Sequence, residues 1–115
     1  MLVFKFGGAS VKSAEAVRNI VKILQAYHKE KIVVVVSAMG KTTNAIEAII
    51  DAYTAGKSKE LKQQFKELKA YHLEIMDGLF EEKGHKVYVD AEKLFSSMAD
   101  RLANCTRPLR MPETI

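Results

Sequence analysis

Ile32-Val33-Val34-Val35-Val36 sets five β-branched residues in unbroken succession. Side chains branched at Cβ are stiff and pack well on a pleated surface, and a run without polar alternation suits a parallel strand covered on both faces. Residues 2–6, Leu-Val-Phe-Lys-Phe, form a second strongly apolar run. Between the two, residues 13–28 carry Val17, Ile20, Val21, Leu24 and Tyr27 at helical spacing and leave Arg18, Lys22 and Gln25 for solvent. Ser13 can cap that helix, and Glu15 suits its first turn. Strand, helix, strand makes a βαβ unit with parallel strands and an expected right-handed crossover.

Ligands of open α/β sheets gather beyond the carboxyl ends of the strands. This unit places Lys5-Phe6-Gly7-Gly8 at one such end and Ser37-Ala38-Met39-Gly40 at the next. Glycines let the backbone approach an anion and point N–H groups at it, a following helix N-terminus adds its positive end, and Lys5 would supply a mobile charge. The plainer account is a tight turn with a surface lysine. The Walker form needs its lysine after the glycines, and the dinucleotide fingerprint needs three glycines, so neither applies. The second loop continues Lys41-Thr42-Thr43-Asn44, with hydroxyls and backbone donors suited to a carboxylate or phosphate. Thr42 or Thr43 can also cap the next helix, and Lys41 reads either as a second phosphate ligand or as a solvated loop lysine.

Helix is expected to resume near residue 43 or 44, with Ala45, Ile46, Ile49, Ile50 and Tyr53 inward, and to stop around Gly56. A long helix is expected from Ser58 to about Glu82. Its Leu61, Phe65, Leu68, His72, Ile75 and Leu79 form a seam with alternating spacings of four and three, which calls for a neighbouring helix. Its five lysines from Lys57 to Lys69 alternate with Glu60 and Glu67, as on a solvated face. A last helix should start at Asp90, carry Leu94, Phe95, Met98 and Leu102 inward, and end before Pro108. Net charge is +4, but without the interleaved basic and aromatic face of a nucleic-acid binder. No run of ~18 apolar residues suggests a membrane span, and a cytosolic protein is expected. Cys105 is the only cysteine, so neither an intrachain disulfide nor a cysteine metal cluster can form, and it reads as a small buried hydrophobe. His72 reads as a packed seam residue, and His28 and His85 as turn residues without metal-ligand spacing. Glu81-Glu82 reads as a solvated helix end.

Lys5-Phe6-Gly7-Gly8-Ala9-Ser10-Val11, together with Ser37-Ala38-Met39 and Thr43-Asn44, resembles the opening of the aspartokinases of the amino-acid kinase family. Ala9 stands where that family usually carries Thr or Ser. The resemblance implies the start of an αβα sandwich with a parallel-strand core, followed by a helical segment. It further implies ATP-dependent phosphorylation of the L-aspartate side-chain carboxylate to 4-phospho-L-aspartate, the first step toward lysine, threonine and methionine. In that scheme Lys5 holds the ATP phosphates and stabilises the charge of the transferring group, and Gly7 and Gly8 offer backbone N–H groups. Ser10, Ser37, Ala38 and Thr43 surround the aspartate, with Thr43 in direct contact. Mg²⁺ arrives with ATP rather than on a protein metal site. L-aspartate and ATP are thus the expected partners, with no nucleic acid, no membrane, and a homo-oligomeric parent protein.

Two strands are too few for a parallel sheet, so either another chain or sequence beyond Ile115 is expected to complete it. Residues 1–115 are read as an N-terminal portion of the catalytic domain, with a βαβα ligand edge over 1–56 and a hairpin-like helical segment over 57–107. Such a portion should be inactive alone. The rival reading is a non-catalytic module whose Leu61–Leu79 seam binds a second copy or a partner.

Overall fold

The computed structural model describes residues 1–82 and 84–104. The order is β1 (Leu2–Phe6), a single 3-10 turn (Gly8–Val11), α1 (Ala14–Gln25), β2 (Ile32–Val36), α2 (Thr42–Thr54), α3 (Ser58–Leu79) and α4 (Lys86–Asn104). β1 and β2 pair in parallel with Leu2 opposite Ile32 and Phe6 opposite Val36, so the two strands end level. The described residues are thus a partial α/β fold with an open two-stranded sheet.

Strand alternation explains what little core there is. Phe4 and Phe6 point to one face of β1, where the buried Phe6, Val11 and Ile20 pack together with half-buried Phe4, Val17, Leu24 and Met39. The Phe4 and Phe6 rings stack at 6.2 Å, and Tyr27 closes on Phe4 at 5.1 Å. The expectation of strands covered on both faces fails. Val33, Val34, Val35 and Val36 of β2 are all exposed, Val36 at 58%, and Val3 of β1 reaches 65%. The physical reason is placement: α1 covers only the Phe4/Phe6 side of β1, while α2 and α3 pack on each other and α3 on α1. Val21, expected inward, faces outward at 48% exposure for the same reason.

Helix ends follow local chemistry. Ser13 accepts the Ala16 N–H at 3.1 Å and caps α1 as expected. α2 stops in a Schellman turn, in which Gly56 (φ +71°) donates to Tyr53 O and Lys57 donates to Ala52 O. α3 ends at Leu79 rather than Glu82, because Phe80 leaves the helix in an extended conformation and its ring lies 4.5 Å from that of His85. Glu81 and Glu82 are exposed beyond that end. α4 begins four residues before Asp90: His85 Nδ1 accepts the Val87 N–H at 3.0 Å, a histidine cap that the stronger-looking aspartate obscured. Leu94, expected inward, is 68% exposed. Cys105 and Pro108 lie outside the described residues.

The α3 seam is satisfied within the chain. Leu68 and Ile75 are buried. Phe65 and His72 meet Phe95 of α4 edge-on at 6.0 and 5.8 Å, and Lys69 pairs with Glu92 at 2.9 Å. His72 Nδ1–H donates to Leu68 O, so the ring belongs to the packing. At the far end of α3, a Cβ on Gly78 would stand 2.6 Å from the Ala14 Cβ, and the Arg18 guanidinium donates to Gly78 O. Gly78 is therefore what lets α1 and α3 approach.

Gly78→Ala should destabilise the fold by about 1–3 kcal/mol through overpacking, although the same change on a free helix face would gain up to about 1 kcal/mol. Urea denaturation separates the two signs. The Tyr88 hydroxyl donates to Asp77 Oδ1 at 2.7 Å, and this bond, with desolvation and the carboxylate charge, raises the phenol above its ordinary value of about 10. Its stabilising contribution is present below the unfolded phenol's value and is lost as pH rises through the raised folded value. Spectrophotometric titration should show Tyr88 titrating late, and Asp77→Asn should return it toward the ordinary range.

Candidate active site

The level strand ends bring two loops to one edge, and backbone contacts join them. Ser37 N donates to Phe6 O at 3.0 Å, continuing the ladder one step, and Gly40 N donates to Gly8 O at 3.1 Å. A Cβ on Gly8 would lie 2.7 Å from Gly40 O and 3.3 Å from Ala38 O, so any side chain there forces the loops apart. Gly8 is thus a packing requirement. Gly7 is different: its backbone is ordinary and extended, and a Cβ would meet nothing within 4 Å. Among the described residues no contact demands glycine at Gly7, and the space in front of it is open.

A single 3-10 turn separates the glycines from α1, which starts at Ala14, within the helix expected over 13–28. The α1 dipole is thus set back from Gly7 and Gly8. Ser10 N closes this turn onto Gly7 O at 3.0 Å and leaves the Ser10 side chain exposed. Lys5 is exposed on the face of β1 opposite Phe4 and Phe6 and has no ion-pair partner among the described residues.

On the second loop, half-buried Met39 plugs into the Phe6 cluster and anchors the segment. Ser37 and Ala38 are exposed, and the Ser37 hydroxyl donates to Ala38 O at 3.0 Å. Thr42 and Thr43 separate by role. Thr42 is buried and its hydroxyl donates back to Met39 O, which closes the loop; Lys41 is the N-cap of α2, and no side chain bonds there. The expected threonine cap is thus replaced by a threonine that ties the loop to itself. Thr43 is exposed in the first turn of α2, and its hydroxyl has no hydrogen-bond partner among the described residues.

The structure therefore places Lys5 in β1, Gly7, Gly8 and Ser10 in the turn after it, Ser37 and Ala38 in the loop after β2, and Thr43 at the start of α2, all toward the carboxyl ends of the two strands. It also adds a residue from far along the chain. Tyr71 of α3 donates to Lys12 O at 2.6 Å and lies against Gly40, which holds φ +55°. Nothing in its sequence surroundings marks Tyr71, which falls between the seam positions Leu68 and His72. Among the described residues there is no group of three or more His, Cys, Asp or Glu side chains placed to hold a metal ion.

Comparison with known proteins agrees with the loops. The sequence profile of the Amino acid kinase family matches residues 1–107. The chain belongs to this family. It is similar to the chloroplastic aspartokinase 2 of Arabidopsis thaliana, 48% identical over 44 residues, and to aspartokinase 3 of the same plant, 52% identical over 44 residues. Each match covers 38% of this chain and 8% of the relative, so the matched stretch is a small part of those proteins.

The two glycines separate experimentally. Gly8→Ala should weaken folding by about 1–3 kcal/mol, since the clash is with backbone, whereas Gly7→Ala should leave stability within about 0.5 kcal/mol. Thermal unfolding of the two variants checks this.

Proposed function

We propose that residues 1–115 form the phosphate- and substrate-facing edge of an aspartate kinase. The observation that carries this reading is the open space at Gly7, which we read as a phosphate cradle, joined through Gly8 and Gly40 to the segment that carries Ser37 and Thr43. Similarity to aspartokinases points to L-aspartate as the phosphoryl acceptor. ATP, carried with Mg²⁺, supplies the γ-phosphoryl group. The chain's own task is then to position and to neutralise, the main demands of phosphoryl transfer.

Lys5 neutralises charge on the phosphate oxygens as it builds, from a strand end that costs nothing to reorganise. Gly7 and Gly8 offer N–H groups where no side chain intervenes. Ser10, Ser37 and Thr43 contribute hydroxyls toward the aspartate, and Ala38 keeps the backbone between them accessible. Ala9 omits one hydroxyl, a difference worth about 1 kcal/mol if that group would contact a ligand. These positions include no carboxylate to receive the substrate ammonium, so in this reading residues 1–115 alone show no turnover. The parent protein would be a cytoplasmic homo-oligomer. No helix among the described residues is long and apolar enough to cross a membrane.

The full encoded protein should form aspartyl hydroxamate from ATP, aspartate and hydroxylamine. Lys5→Ala should lower kcat by about 10²–10³ with unchanged thermal unfolding, because Lys5 is exposed. Thr43→Val should raise the KM for aspartate about fivefold, the weight of one hydrogen bond. Hydroxamate formed from glutamate in place of aspartate would keep the kinase and overturn the acceptor. Full activity in Lys5→Ala would remove the role given to Lys5.

A further inference from the structure

We infer that Tyr71 is a positioning residue that locks the phosphate loop and the aspartate loop into one register, an inference that rests on the function proposed above. Beyond the last ladder bond, Ser37 N to Phe6 O, the two loops meet through the Gly40 N to Gly8 O bond at 3.1 Å. Each loop is also held from outside by the same side chain. The Tyr71 hydroxyl donates to Lys12 O at 2.6 Å, at the residue that caps the 3-10 turn behind Gly7 and Gly8. The same oxygen occupies the space that a Cβ on Gly40 would require. One phenol oxygen therefore fixes the end of the first loop and backs the turn of the second.

Packing alone does not hold Tyr71 there. Its ring is half-buried and borders a cavity of about 760 Å³ where α2 and α3 meet the two loops, lined also by Ala9, Lys12, Gly40, Lys41 and Leu68. None of Lys5, Gly7, Gly8, Ser10, Ser37, Ala38 or Thr43 lines that cavity, so Tyr71 acts on the loops through Lys12 and Gly40. With open space beside the ring, the bond to Lys12 O is what keeps the oxygen against Gly40. Gly40 itself must be glycine twice over, for its positive φ and for its contact with this oxygen.

The latch predicts a coupling that simple structural support would not produce. In the full encoded protein, Tyr71→Phe should accelerate hydrogen exchange of the Gly40 amide about tenfold, as expected when one hydrogen bond of support is lost. It should raise the KM values for ATP and aspartate together, with the midpoint of thermal unfolding nearly unchanged. Gly40→Ala should be more damaging still, and adding Tyr71→Phe to it should restore part of the lost activity, because the phenol oxygen that meets the new Cβ is gone. Unchanged Gly40 exchange in Tyr71→Phe would overturn the latch, whatever the enzyme's activity. Faster exchange with unaltered KM values and kcat in an active kinase would leave the latch and overturn its positioning role. Absence of aspartate phosphorylation in the unmutated protein would instead remove the proposed function, leaving the exchange result to decide the latch. Failure of Tyr71→Phe to relieve Gly40→Ala would overturn the assigned contact.

Discussion

The contact between Gly8 and Gly40 is the constraint on which the rest of this structure depends. Two loops leave the ends of parallel strands, and nothing in strand pairing alone obliges them to touch. They touch because Gly8 carries no Cβ, which lets Gly40 N reach Gly8 O while Gly40 O passes where a side chain on Gly8 would stand. That approach turns two separate turns into one wall. Lys5 and Gly7 lie on one side of the junction and Ser37 and Thr43 on the other. For the phosphoryl transfer proposed above, which depends mostly on positioning, the junction would matter as much as any group that touches a ligand.

The packing around this wall is thin. No side chain among the described residues is fully buried, and the sheet leaves Val3 and Val33 to Val36 of β2 open. A radius of gyration of 17.0 Å stands against about 13 Å for a compact domain of this length. Order is instead concentrated where helices cross: Gly78 against Ala14, the aromatic contacts of α3 with α4, and Met39 within the Phe6 cluster. These contacts lie behind the loops, not over them. The arrangement leaves the cradle accessible while its supports are tied down.

Much of this was legible in the residue pattern. Both strands appear at the expected residues, because β-branched runs bounded by charged or glycine-rich turns admit few alternatives. The Ser13 cap and the stop at Gly56 follow from local hydrogen-bonding chemistry and conformational freedom. Boundaries at α3 and α4 were less legible. There, Phe80 and His85 redirect the chain through a ring contact, and a histidine nitrogen takes the capping bond in place of Asp90. The roles of Thr42 and Thr43 could not be separated by spacing, since adjacent residues on a helix turn point in different directions, one back to Met39 O and one outward.

The sequence by itself determined the βαβ unit, the amino-acid kinase family, and the two glycine-containing loops at the strand ends, because all of these are encoded in short, contiguous stretches. Tertiary structure alone decided which glycine serves packing and which faces open space, which threonine closes the loop, and that Tyr71 reaches these loops at all. The physical reason is distance along the chain. A Cβ clash or a hydrogen bond between residues 12 and 71 leaves no trace in local pattern, and it exists only once α3 has folded back against α2 and α1.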